Sequence, residues 1–169
     1  MQSSKMGDSS RIVSEEMQHT AEHGFAKTVI DHVGFAVPDL GQAIDFFIDV
    51  LGFRVETQFD PVCDPGDDYM SRTFDIHPRS AYRGAFIITR AGQRIELTQW
   101  ETRNQDKHVA GLADMSSRHI AFSVDDLEQS AEYLARQSGV DVFDISPHGF
   151  FYFRTSWGMY LQAVQSRED

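Results

Sequence analysis

Cysteine is almost absent from this chain: Cys63 stands alone among 169 residues. One thiol excludes an internal disulfide and fits a reducing compartment, so a cytoplasmic location is expected. Long apolar runs are missing too. None approaches the roughly 20 residues that a membrane-spanning helix needs. The first residues, Met1–Glu16, lack the apolar centre of a signal peptide. Positive charge is scarce: 15 Lys and Arg stand against 26 Asp and Glu, a formal net charge of −11. That balance disfavours nucleic acid or an anionic membrane as a partner. Proline is sparse, and three of its five copies (Pro61, Pro65 and Pro78) fall in one segment, residues 60–80.

Hydrophobic residues make up 41% of the chain and aromatics 12%, enough for one well-packed domain at this length. Residues 1–27 are polar and rich in serine, and read as a flexible N-terminal segment with at most a short helix over Ile12–Met17. The domain is expected over 28–165.

Its first stretch, Ile30–Val37, alternates as a strand. His32, Gly34 and Ala36 share one face, and Val33, Phe35 and Val37 share the other. The small residues leave room beside the imidazole. Asp39 then caps a helix whose apolar stripe is Leu40, Ala43, Ile44, Phe47, Ile48 and Leu51, closed by Gly52. Phe53–Phe59 reads as a strand and residues 60–80 as a long irregular segment carrying Tyr69, Met70, Arg72 and His77. Tyr82–Arg90 and Gln93–Trp100 read as a hairpin turning at Ala91–Gly92. After a polar linker over 101–116, the pattern restarts at Arg118. Asp125–Asp126 caps a helix with Leu127, Ala131, Leu134 and Ala135 apolar. Val140–Ile145, Phe150–Arg154 and Met159–Val164 follow as strands.

The restart is a repeat. His32, Phe35, Val37, Asp39, Leu40 and Gln42 recur 87 residues later as His119, Phe122, Val124, Asp126, Leu127 and Gln129. Gly92–Glu96 aligns with Gly158–Gln162 at a spacing of 66, setting Glu96 and Gln162 at equivalent places. Each half reads strand, helix, strand, strand, strand, in modules 28–103 and 117–165. A pseudo-twofold axis between halves would gather His32, Glu96, His119 and Gln162, all able to bind a divalent cation. Two imidazoles and a carboxylate suit Zn, Fe, Co, Ni or Mn. A lone strand histidine is more often structural; four donors at equivalent places weaken that reading. Trp100, Trp157, Tyr152 and Phe151 are expected mostly to pack the core.

Asp31-His32-Val33-Gly34, Phe46-Phe47-x-x-Val50-Leu51-Gly52, Ile95-Glu96-Leu97 and Arg118-His119-Ile120-Ala121-Phe122 resemble the vicinal oxygen chelate superfamily of glyoxalases, bleomycin-resistance proteins and dioxygenases. Asp68-Tyr69-Met70, His77-Pro78-Arg79 and Phe153-Arg154-Thr155-x-Trp157-Gly158 are similar to its cyclitol (2-epi-5-epi-valiolone) epimerase-like branch. The resemblance implies an α+β fold of two βαβββ modules forming a curled mixed sheet around a metal cleft. It implies His32, Glu96 and His119 as ligands; Gln162 departs from a pattern that usually has glutamate there. The implied activity is epimerisation or isomerisation of a vicinal hydroxy-ketone through a metal-stabilised enolate. Glu96, His148 and Tyr69 are the candidates for moving the proton. A ring-cleaving Fe(II) dioxygenase, a glyoxalase I-like lyase and a small-molecule-sequestering protein are the competing readings. The expected partners are a small-molecule substrate and a second copy, as a homodimer.

Overall fold

The structure is a computed structural model that describes residues 28–63 and 68–167. The N-terminal segment over 1–27 and the short helix expected at 12–17 lie outside them. The chain divides into two compact units, Met1–Val33 and Gly34–Asp169. Of the first, residues 28–33 are described: Val29 and Ile30 are exposed, and His32 Nδ1 lies 2.7 Å from Asp31 Oδ1.

The remainder repeats one topology twice. The first module holds β1 (Val33–Ala36), α1 (Leu40–Asp45), β2 (Arg54–Cys63), α2 (Tyr69–Phe74), β3 (Ala81–Ile88) and β4 (Arg94–Glu101). The second holds β5 (Ala121–Val124), α3 (Leu127–Ala135), β6 (Val140–Val142), β7 (Phe150–Thr155) and β8 (Tyr160–Gln165). Two four-stranded sheets result, ordered β1-β4-β3-β2 and β5-β8-β7-β6. The expected α+β fold of two modules is therefore present, built as two sheets rather than one curled sheet.

The sequence repeat reappears in the hydrogen bonds. Asp39 accepts from the Gln42 amide at 2.9 Å, and Asp126 accepts from the Gln129 amide at 2.8 Å. Each caps its helix by satisfying an amide that has no partner in the first turn. Gly52 and Gly139, at the same spacing, have φ of 72° and 74°, and Gly92 and Gly158 both have φ of 93°. These are left-handed conformations that side chains rarely adopt. After α1 the helix widens into a π-helical turn over Phe46–Val50.

Two expectations are corrected. The segment over 60–80 is not irregular throughout: β2 runs to Cys63 and α2 occupies Tyr69–Phe74. Pro61 is tolerated because β2 is an end strand, with its register shifted between Phe59 and Val62. The opening strands are also shorter than their periodicity suggests, so His32 and His119 precede β1 and β5 rather than lying within them.

One buried cluster serves both modules. It joins Ala85, Ile87, Ile95 and Leu97 from the first sheet to Phe151, Phe153, Leu161 and Ala163 from the second, with Leu40, Ala43, Phe47, Leu127 and Leu134 from the helical segments. Phe53 meets Phe122 edge-on at 5.7 Å, Phe46 meets Trp157 at 5.4 Å, and Tyr133 Oη donates to the Val50 carbonyl at 2.9 Å. Among the described residues, no helix is long and apolar enough to cross a membrane.

Candidate functional site

Strand alternation decides where the candidate residues face. Ile95 and Leu97 enter the core, so Glu96 between them points to the other face of the first sheet. Leu161 and Ala163 do the same in the second sheet and turn Gln162 outward. The register carries the equivalence further. Gln162 stands beside Ala121 on β5, and Glu96 lies against Gly34, Ala121's counterpart on β1. A Cβ built on Gly34 would stand 3.3 Å from Glu96 Oε2. The small residues of the opening strands thus make space for the polar ends of β4 and β8.

Around Glu96 the first sheet carries an aromatic wall. Phe86 pairs with Glu96 across β3 and β4, Gly84 with Thr98 and Tyr82 with Trp100. Tyr82 and Trp100 stack at 4.4 Å and 22°, with Phe74 edge-on to Trp100 at 5.3 Å. Gly84 leaves room for Phe59, whose ring is 5.8 Å from that of Tyr82. Arg94 sits over Phe86 at 4.3 Å and pairs with Glu56 at 2.7 Å. α2 brings Tyr69 to this wall, where the Tyr69 and Tyr82 side chains hydrogen-bond. Burial pushes the Tyr82 phenol above its ordinary range, and the neighbouring Tyr69 and Glu96 charges push it the same way.

On the second sheet, His119 meets Tyr152 edge-on at 5.2 Å, and Tyr152 pairs across the ladder with Gln162. Arg154 binds Asp141 at 2.7 Å and reaches the Tyr160 hydroxyl at 3.5 Å.

Tyr69 and Glu96 thus both neighbour Tyr82, and His119 and Gln162 both neighbour Tyr152. His148 sits in the exposed Ser146–Phe150 turn, its amide on Ser146 Oγ at 3.2 Å. Trp100 and Tyr152 line these outer faces, whereas Phe151 is buried and Trp157 packs on the core. Tyr82 and Phe86 escaped the sequence reading. Their signal was the period-two run Tyr82–Gly84–Phe86 opposite Glu96–Thr98–Trp100, legible only once β3 and β4 are set in register.

In kind, these donors suit a divalent cation: imidazole, carboxylate and amide oxygen are borderline to hard ligands. The missing Cβ at Gly34 leaves room for the Glu96 carboxylate. In position they are divided, because no three His, Cys, Asp or Glu side chains among the described residues come together to hold a metal.

Paired βαβββ modules, each with a polar residue in its last strand, define the class of fold. The comparisons narrow it: residues 29–155 match the Glyoxalase/Bleomycin resistance protein/Dioxygenase superfamily, and the chain belongs to that superfamily. It is 31% identical over 144 residues to a 2-epi-5-epi-valiolone epimerase of an Actinomyces species, covering 80% of this chain and 78% of that protein. The fold is shared with a glyoxalase family protein of Bacillus cereus, at TM-score 0.66, 21% identity and 83% and 97% coverage of the two chains. It is also shared with the trypanothione-dependent glyoxalase I of Leishmania major, at TM-score 0.59, 20% identity and 82% and 87% coverage. The fosfomycin resistance protein FosX of Listeria monocytogenes, solved with Mn(II) and sulfate, gives TM-score 0.51, 17% identity and 83% and 93% coverage.

Proposed function

We propose that this protein is a divalent-metal-dependent epimerase or isomerase of a small metabolite bearing adjacent hydroxyl and carbonyl groups. The observation that carries the reading is the matched placement of Glu96 and Gln162 against the small residues Gly34 and Ala121. The 31% identity to an epimerase supports the choice of reaction.

His32, Glu96, His119 and Gln162 are the residues that would hold the cation, His32 on the strength of the sequence repeat. A cation bound there supplies Lewis acidity, which lowers the barrier to losing a proton beside a carbonyl by several kcal/mol. The chain's own residues do the rest. Glu96 has the only carboxylate among the four donors, so it both binds and is the first candidate to accept the proton. The hydrogen-bonded Tyr69 and Tyr82 lie on the same face, where a phenol can donate to a substrate hydroxyl or return a proton. The stacked Tyr82 and Trp100 present an apolar surface to the ring or chain of the substrate and exclude water. Tyr152 fixes the tilt of the His119 imidazole. His148, exposed in its turn, is the second candidate for a shuttle.

Elemental analysis of the purified protein beside its Glu96→Ala and His119→Ala variants tests the metal. Loss of bound metal in both is expected; equal content in all three sinks the reading. Solvent deuterium uptake at the carbon next to the carbonyl, followed by NMR on a panel of cyclic hydroxy-ketones, tests the chemistry.

A further inference from the structure

The face of the first sheet opposite Glu96 carries charges of its own. Alternation turns Glu96, Thr98 and Trp100 one way and Leu97, Gln99 and Glu101 the other. On β3, Ala81, Arg83 and Ala85 share that second face, with Arg83 paired to Gln99 and Ala81 to Glu101. Ala85 and Leu97 are buried in the core, whereas Arg83 and Glu101 are exposed beyond its edge. A bulge makes room there. The register of β2 shifts between Phe59 and Val62, which pair with Gly84 and Tyr82, so Asp60 and Pro61 together stand across from Arg83. The result is a recess of about 190 Å³ lined by Pro61, Ala81, Tyr82, Arg83, Gln99 and Glu101.

A neutral group sets Arg83 in this recess. Gln99 Oε1 accepts from its Nε at 3.3 Å and from its Nη2 at 3.0 Å, and the same oxygen accepts from the Leu40 amide at 2.9 Å. Gln99 is thereby pinned to the main chain, and it orients the guanidinium without neutralising it. Arg94, Arg136 and Arg154 each pair with a carboxylate. Among the described residues Arg83 pairs with none, and Glu101 pairs with no cation. The two sit diagonally across the β3–β4 ladder, a backbone separation of about 7–8 Å. A guanidinium has N–H donors to spare beyond those given to Gln99, enough for the paired contact it makes with carboxylates.

We propose that this recess binds a small zwitterion of the α-amino acid class, its carboxylate on Arg83 and its ammonium on Glu101. The volume lies below the roughly 300 Å³ at which drug-sized ligand sites begin, which restricts the ligand's side chain to a few atoms. An anion lacking the ammonium would meet the Glu101 carboxylate, and a cation lacking the carboxylate would meet Arg83. Only a ligand bearing both charges satisfies both groups. The site is independent of the metal reading, because it lies on the other face of the sheet from Glu96.

Backbone NMR of the isotope-labelled full chain, titrated with glycine, L-alanine and L-serine, tests this. Saturable shifts are expected at the amides of Ala81, Tyr82, Arg83, Gln99, Trp100 and Glu101, with dissociation constants in the millimolar range. Acetate and methylammonium each offer half of the zwitterion and should bind about tenfold more weakly than L-alanine. Arg83→Gln and Glu101→Gln should each weaken L-alanine by about tenfold, whereas Arg136→Gln, which removes an exposed cation on α3, should leave it unchanged. Both substituted side chains in the recess are exposed, and unmoved amide signals at the buried Ala85 and Leu97 show that the variants keep the fold. No saturable shift at these amides with any of the three amino acids overturns the site. Acetate binding as tightly as L-alanine, or L-alanine binding that survives both substitutions, overturns it equally.

Discussion

Gly84 lies where two structural demands meet, and replacing it with alanine gives a decisive perturbation. A Cβ there would stand 2.3 Å from Phe59 Cζ, 2.8 Å from Phe59 Cε2 and 2.7 Å from the Leu97 carbonyl oxygen. Real Cβ atoms essentially never come so close. The ring can turn, but the carbonyl belongs to the β3–β4 ladder, where Ala85 pairs with Leu97, so the sheet must shift as well. Overpacking of this kind costs about 1–3 kcal/mol. Against it, removing a glycine restricts the unfolded chain and stabilises by about 0.4–1 kcal/mol. The clash wins, leaving a net loss of about 1–2 kcal/mol. At a urea m-value of about 2 kcal/mol/M, the midpoint should fall by about 0.5–1 M with little change in slope. Adding Phe59→Leu should return part of the loss, because it removes the ring but not the carbonyl. Gly34→Ala is the control: its Cβ meets only the end of the Glu96 side chain, at 3.3 Å. A Gly84→Ala midpoint equal to or above that of the wild type would refute the reasoning.

Two further expectations concern a helix cap and a phenol. Asp126→Ala should cost about 1 kcal/mol, since it removes the acceptor for the Gln129 amide at the start of α3; an unchanged denaturation midpoint would show that the cap is not needed. Tyr82 should titrate above the ordinary phenol value of 10.0, chiefly through the water lost on its partial burial. A pKa raised by folding gives stability that is present below the unfolded value and lost as pH rises through the folded one. Phenolate absorbance should therefore show one late step that Tyr82→Phe removes, and the variant should lose less stability at alkaline pH. A full complement of phenols titrating at the ordinary value would contradict this placement.

Much of the fold was legible because its signals are local. The Asp39 and Asp126 caps, the apolar stripe from Leu40 to Leu51 and the glycines at 52 and 92 act within a few residues. Duplication then made each of these signals count twice. Other features were hidden by their neighbours. The proline-marked segment after Phe59 looks irregular in sequence, yet an end strand accepts Pro61 because one side of that strand needs no amide donor. The aromatic wall beside Glu96 was invisible because Tyr82 and Phe86 belong to one strand and Trp100 to its neighbour.

The sequence by itself determined the module, its repetition and the chemical kind of the four candidate donors, since periodicity, capping and side-chain chemistry are properties of short stretches. Only the tertiary structure decided which faces those donors occupy. The core that takes in Leu97 and Leu161 turns Glu96 and Gln162 to the faces away from it. That outcome depends on how two sheets bury their apolar faces together, and no stretch of either module states it alone.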